Sequence, residues 1–418
     1  MDVIIHDYAG HPFQLQLSRE LARRGNCVTH QYCASYTTGK GAVVRTADDP
    51  DSFSVESFSM TGEFARYSPI RRVIQELHYG AVVGKRLRTS GARLVVMCNI
   101  PLLAHAVAAA ILRLSRMPMI FWQQDVYSDA IGTAARRRLG QYGGGAVAWI
   151  ADRLECFVSR TSAHIVAISE SFEEVLGRWG VPPERVTIIP NWAALPELPA
   201  CPRDNEWARS HDLVNREVVL YSGTLGIKHN PRIFIDLAKA LELSKPNARV
   251  VVISEGQGRA FLESERRGLH LDNLVLLDYQ PYEALPRVLA SADVLIAVLE
   301  PDACRYSVPS KVLNYLCAAR PILAVIPAEN DVATILRSSG AGIAVDPGKH
   351  QHAIAELMIL LAQPDTRIRL GTAGRQYAEA TFDISEIGGR FESVLRKVNG
   401  TRHTSDRAQP AKTNRGGT

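Results

Sequence analysis

Apolar positions along this chain come in short continuous runs, separated by stretches whose apolar residues share one helical face. Continuous runs bounded by turn residues suit strands buried on both faces of a parallel sheet. In the first half such strands are expected at 2–6, 27–31, 94–98, 119–122, 164–169 and 186–190. Helices are expected over 13–24, 102–114 and 170–179, and a long helical region reaches residue 162, with Gly143, Gly144 and Gly145 as its expected break. Residues 35–68 are polar, contain Gly39, Gly41, Gly62, Asp48, Asp49 and Asp51, and read as an irregular or edge segment. The second half restarts the alternation, with strands at 218–221, 250–254 and 274–277 and helices over 231–243, 259–267 and 282–291. Ala292–Val325 then supplies a buried strand, a polar loop, a helix opening at Pro309-Ser310-Lys311 and a second buried strand. Val312, Leu313, Leu316 and Cys317 fall on one face of that helix. Helices over 330–338, 351–363 and 384–398 follow.

This grammar predicts an α/β protein of two Rossmann-like domains facing across a cleft. A chain of 418 residues is too long for one core. The Pro-rich stretch Leu195–Pro202 marks the boundary between a domain over 1–198 and one over 199–383. The terminal helix 384–398 is expected to pack back toward the first domain, and 399–418 to be a disordered tail.

The composition, 46% apolar and 22% charged, is that of a globular protein. A net charge of +5 is too modest to argue for nucleic acid, but its distribution matters. Between Phe64 and Arg93 seven basic residues, among them Arg66, Arg71, Arg72, Lys85 and Arg86, face one acid, Glu76, and alternate with apolar positions. Such a stretch suits the surface of an anionic membrane, or a solvated helix face. The seven cysteines form no C-x-x-C pair and indicate neither a zinc site nor a disulfide framework. The chain opens directly on a strand, and its longest apolar run, 101–112, is too short to span a bilayer; a cytoplasmic protein that meets membrane only peripherally is expected.

Candidate chemistry clusters at strand ends. Ser310 and Lys311 at a helix start offer free N–H groups, a hydroxyl and a cation, the means of holding a phosphate; the same residues also fit an ordinary capping turn. The first βα loop, Asp7–Pro12, carries Gly10 alone, without the G-x-G-x-x-G that a nicotinamide cofactor requires. Gln123–Asp129 sets polar groups outside a strand's carboxyl end, where open α/β sheets bind ligands. Asp49 and Asp51 form a D-x-D in a polar loop and read as a turn, and no cluster has metal-ligand spacing.

LYSGTLGIKHN at 220–230, SEGQGR at 254–259, LDYQPYEALPRVLASADVL at 277–295 and VPSKVLNYLCAARPILAV at 308–325 together resemble the donor domain of family 4 retaining glycosyltransferases of the GT-B fold. DYAGHPFQLQLSRELARRG and FWQQDVYSDA resemble a bacterial subgroup that builds surface polysaccharides on lipid carriers. The resemblance implies a nucleoside diphosphate-sugar donor, provisionally a UDP-sugar, and a lipid diphosphate-linked or saccharide acceptor. Lys228 would meet the diphosphate, with Gly223 and Gly226 admitting the phosphates to the backbone. Ser310 and Lys311 would face phosphate or sugar, and Glu255, Gly256 and Tyr279 would border the nucleoside. Gly10 and His11 would lie on the acceptor side. The chain departs from the family where two glutamates are usual, which here are Tyr306 and Asn314. Asn314 retains a hydrogen bond to ribose, and Glu300 is a candidate for a sugar hydroxyl. A His-Asp pair is replaced by Gln124-Asp125, leaving Asp125 as a cleft-facing candidate or a helix cap. The resemblance implies front-face transfer with retention, needing neither protein nucleophile, metal nor cofactor, with Lys228 and Asp125 as the catalytic candidates. A nucleotide-sugar 2-epimerase and a non-catalytic partner subunit of the same fold remain as alternatives.

Overall fold

The computed structural model describes residues 1–35, 41, 43–60, 69–226, 229–300 and 310–407. Lys228, Tyr306, Arg66 and the loop 301–309 lie outside the described residues.

Seven strands form the first sheet: β1 Asp2–Asp7, β2 Cys27–Cys33, β3 Phe53–Phe58, β4 Leu94–Cys98, β5 Met119–Gln123, β6 His164–Ala167 and β7 Val186–Ile188. Their order is β3-β2-β1-β4-β5-β6-β7, and every pairing is parallel. Six more form the second sheet: β8 Val218–Ser222, β9 Arg249–Ile253, β10 Leu274–Leu277, β11 Val294–Val298, β12 Ile322–Val325 and β13 Gly342–Val345. Its order is β10-β9-β8-β11-β12-β13, again all parallel. Strands β4, β5 and β11 are buried at every position, as their unbroken apolar runs require. In each sheet the strand order reverses at the first strand of its domain, so crevices open between β1 and β4 and between β8 and β11.

The two halves share packing. Phe391 of the terminal helix packs edge-on against Trp122 at 4.7 Å, Trp122 stacks on Trp192 of the linker, and Arg390 donates to the Ile188 carbonyl at 2.5 Å. Arg24, which ends helix Pro12–Arg23 as its C-cap, reaches Ser385 Oγ at 3.0 Å. The terminal helix thus lies on the first domain. Tyr282, just after β10, packs beside Gly41 of the first domain, so the carboxyl-edge loops of the two sheets approach each other.

The polar segment 35–68 contains β3, an edge strand paired with β2, in line with the edge reading. Three expectations are corrected. Helix Tyr127–Thr161 breaks at Gly140 (φ 71°, ψ −178°), while Gly144 is helical and buried between two arms. A further helix, Pro364–Thr381, and the edge strand β13 were not apparent in the apolar pattern. The terminal helix runs on to Arg407, past Val398 where its apolar stripe stops and through Gly400.

Candidate functional site

At the second crevice, β8 ends in Tyr221-Ser222-Gly223. Helix Ser310–Cys317 starts opposite, with Lys311 in its first turn. The Lys311 ammonium sits 4.2 Å from the centre of the Tyr221 ring, hydrogen-bonds the Tyr221 hydroxyl, and lies 3.4 Å from His229 Nε2. Among the described residues no carboxylate pairs with it. Lys311 keeps part of its surface, yet its ammonium is densely enclosed and burial lowers its pKa to about 7. One turn on, the Tyr315 hydroxyl receives the Ser222 N–H at 2.9 Å and donates to the Ser222 carbonyl at 3.2 Å, fixing the strand end against the helix. Gly223 has φ +148°, and a Cβ there would lie 3.1 Å from Lys311 Cε, so glycine leaves room for the lysine. At Gly226 an added Cβ meets nothing within 4 Å among the described residues.

The neighbouring loops complete this edge. Tyr279 bonds the Thr224 side chain, and Leu225 N–H donates to Ser254 Oγ at 3.0 Å. Glu255 is exposed beside Gly256 (φ +92°), which precedes helix Gln257–Leu269. Ser310 is exposed, and Asn314 is half-buried on the same helix. Glu300, which follows β11 at the same carboxyl edge, lines a cavity of about 720 Å³ with Asn230, Lys349 and His350.

The first crevice has an anionic centre. Asp7, fully buried at the end of β1, accepts from Ala9 N–H at 3.1 Å, His11 N–H at 2.5 Å and Asn99 Nδ2 at 2.9 Å. Burial alone pushes its carboxyl up, but hydrogen bonds and charge from His11, helped by Asn99, hold it well below the usual carboxylate range. Gly10 (φ +66°) turns the loop, and a Cβ there would come within 2.9 Å of Val43. Gly10 and His11 therefore close a turn around Asp7. Asp125 is half-buried after β5, one residue before the Val126 N-cap of the following helix. The first N–H groups of that helix, Tyr127 and Ser128, donate to Glu155 at 3.1 and 2.7 Å.

Residues 10–192 match the glycosyl transferase 4-like domain family, and residues 204–377 match the glycosyl transferases group 1 family. The chain belongs to the group 1 glycosyltransferases. WcaI of Escherichia coli (strain K12), assigned by name to colanic acid biosynthesis, is 26% identical over 291 residues, 68% of this chain and 69% of its own. WbjE of Pseudomonas aeruginosa, named as a glycosyltransferase, is 26% identical over 251 residues, 59% of this chain and 56% of its own. HepE of Anabaena, solved with UDP and glucose, superposes with a TM-score of 0.69 at 16% identity, covering 95% of this chain and 100% of that one; this likeness fixes the GT-B fold.

In this glycosyltransferase the structure brings Gly223, Lys311 and Tyr279 together around the end of β8, and Gly10 with His11 around β1. The partners that hold them were missed in the sequence: Tyr221, His229 and Tyr315 around Lys311, and Asp7, Asn99 and Glu155 in the first domain. Tyr315 carried one signal, its position four residues after Lys311 on a helix, which places both on one face.

Proposed function

We propose that this glycosyltransferase moves a sugar from a nucleoside diphosphate-sugar, with UDP as the nucleotide, to a lipid diphosphate-linked or saccharide acceptor, with retention, in the building of bacterial surface polysaccharide. One observation carries the donor assignment: Lys311 is an enclosed cation at a helix start with no carboxylate among its described partners, beside a glycine that keeps the strand end bare. A diphosphate supplies the missing counter-charge and accepts from the free N–H groups of that helix. Lys228, two residues past the Gly226 turn, is the second proposed phosphate contact. The UDP bound by HepE and the colanic acid assignment of WcaI support the donor and the pathway class.

In the proposed step the acceptor hydroxyl attacks the anomeric carbon on the face the diphosphate leaves. The acceptor oxygen–carbon bond forms as the carbon–phosphate oxygen bond breaks, and the departing phosphate oxygen takes the acceptor proton. Lys311 and Lys228 stabilise the charge that develops on the leaving group, the term most expected to lower the barrier. Asp125 is proposed to orient a sugar hydroxyl. No cofactor enters; the nucleotide sugar is a substrate. Helix Pro69–Thr89 exposes Ile70, Val73, Ile74 and Leu77 beside Arg71 and Arg72, which supports peripheral contact with an anionic membrane. Among the described residues no helix is long and apolar enough to cross one.

The test is turnover of UDP-sugars with and without lipid-linked saccharide acceptors, followed by anomeric analysis of the product. UDP release that depends on acceptor, with the donor's configuration kept, is expected. Conversion of the donor without acceptor would indicate epimerase chemistry, and binding without turnover a non-catalytic subunit.

A further inference from the structure

Helix Tyr127–Thr161 is a hairpin with a specific direction. Its arms, 127–139 and 141–161, turn at Gly140 and touch through small residues: a Cβ on Gly132 would lie 2.9 Å from Ala148 Cβ, and one on Gly144 would lie 2.3 Å from Arg136 Cα. The root is pinned where buried Glu155 accepts from Tyr127 and Ser128, at the carboxyl edge of β5. Strand β6 runs parallel to β5, so the chain must reach the opposite edge before residue 164, and only the part beyond Glu155 travels along the sheet. That part is buried at Cys156, Val158 and Ser159. The part before Glu155 therefore projects past the carboxyl edge by about 20 Å, at ~1.5 Å per helical residue.

This projecting hairpin is apolar and basic where solvent meets it. Tyr142 is 98% exposed, Trp149 66%, Leu139 60% and Ile150 51%, an unusual set to leave in water. Arg136, Arg137 and Arg138 flank the turn, and no acid occurs from residue 130 to 151; Asp129 and Asp152 sit at the root. Aromatic rings with an apolar body and a polar end, beside arginines, match the interface of a bilayer carrying negative headgroups. The steps β3 to β4, β4 to β5 and β5 to β6 all run one way across the sheet, so right-handed crossovers put helix Pro69–Thr89 and the hairpin on the same face.

We infer that the exposed face of the hairpin, from Leu139 and Tyr142 at its turn to Trp149 on the returning arm, with Arg136–Arg138, is a docking arm for an anionic lipid bilayer, holding the cleft edge of the first domain at the membrane surface. This inference rests on no sugar chemistry and is read without turnover. Trp122, Trp179, Trp192 and Trp207 are buried, so Trp149 is the exposed one of five tryptophans and reports the contact directly.

The experiment uses the full chain with vesicles of phosphatidylcholine plus phosphatidylglycerol, and of phosphatidylcholine alone. Flotation with the anionic vesicles and a blue-shifted, lipid-quenched Trp149 emission are expected. The variant Leu139→Ser/Tyr142→Ser/Trp149→Ser should bind at least about tenfold more weakly while keeping its circular dichroism. The Arg136→Gln/Arg137→Gln/Arg138→Gln variant, with every apolar residue in place, should lose the preference for anionic lipid. Undiminished flotation of both variants would overturn the inference and assign the contact to helix Pro69–Thr89. Absence of flotation by the wild type overturns it too, as would a concentration-dependent dimer in sedimentation that the first variant abolishes, since the exposed face would then meet a second copy.

Discussion

The two crevices of this molecule handle charge in opposite ways. At the end of β1 the buried charge is Asp7, and the protein itself answers it with two backbone N–H groups and the Asn99 amide. At the end of β8 the enclosed charge is Lys311, whose described partners, Tyr221 and His229, include no carboxylate. A charge answered from within holds a loop together, whereas a charge left without its counter-ion costs stability until a ligand supplies one. The first crevice is organised by its charge, and the second is prepared by it.

That contrast breaks most sharply under substitution. Lys311→Met keeps the buried stem and removes the cation, so kcat/KM with the donor sugar should fall about 100- to 1000-fold, the size of a lost transition-state charge contact. Its urea midpoint should hold or rise, because a buried cation has been removed. Asp7→Ala should do the reverse. Three donors lose their acceptor, and at ~1 kcal/mol or more each the fold should lose about 3 kcal/mol in urea denaturation, with UDP affinity nearly unchanged. Destabilisation by the lysine change and tolerance of the aspartate change would dissolve the comparison.

Acidity separates the same two edges. His6 and His30 lie near Asp7, and His105 is buried on helix Leu102–Leu114; burial lowers the first two to about 4 and the third to about 3. Their unfolded values lie near 6.5, so between there and about 4 the unfolded chain binds more protons and stability falls as pH falls. Glu155, which burial raises to about 7, titrates with the opposite sign and offsets part of this loss. Among the described residues His105 Nε2 has no hydrogen-bond partner, so His105→Leu should flatten the acid limb by about 2 kcal/mol, seen as a smaller difference between urea midpoints at pH 5 and pH 7. At the other edge, UDP affinity should weaken as pH rises above about 7, where free Lys311 gives up its proton.

The smallest effects sharpen the second edge alone. Gly223→Ala places a methyl 3.1 Å from Lys311 Cε at a φ that side chains avoid, and should weaken UDP binding about tenfold, ~1.4 kcal/mol. Gly226→Ala, with open space beside it, should change binding little. Equal effects at the two glycines would mean that room for Lys311 is not what position 223 supplies.

Much of the fold was legible because buried parallel strands write themselves as apolar runs, as β4, β5 and β11 do. The segment 53–58 did not, since an edge strand with alternating polar residues looks like loop. Helix Pro364–Thr381 carries polar residues on most sides and leaves little periodicity to read. The hairpin was misplaced for a conformational reason: three consecutive glycines look like a break, yet Gly144 is there to let the arms touch, and the chain turns at the positive φ of Gly140. At the site, the sequence showed that Ser310 and Lys311 open a helix after a buried strand. What surrounds Lys311 was not legible, because Tyr221 and His229 meet it only through the pairing of β8 with β11, about ninety residues apart in sequence.

Calorimetric titration of UDP at pH 8, in two buffers of different ionisation enthalpy, tests the central claim most directly. If Lys311 awaits the diphosphate, the wild type takes up a proton as UDP binds, because the ligand's charge restores the ammonium. Lys311→Met should then bind more weakly and take up none. Equal affinity and equal proton uptake in the two proteins would contradict the account and move the counter-charge elsewhere.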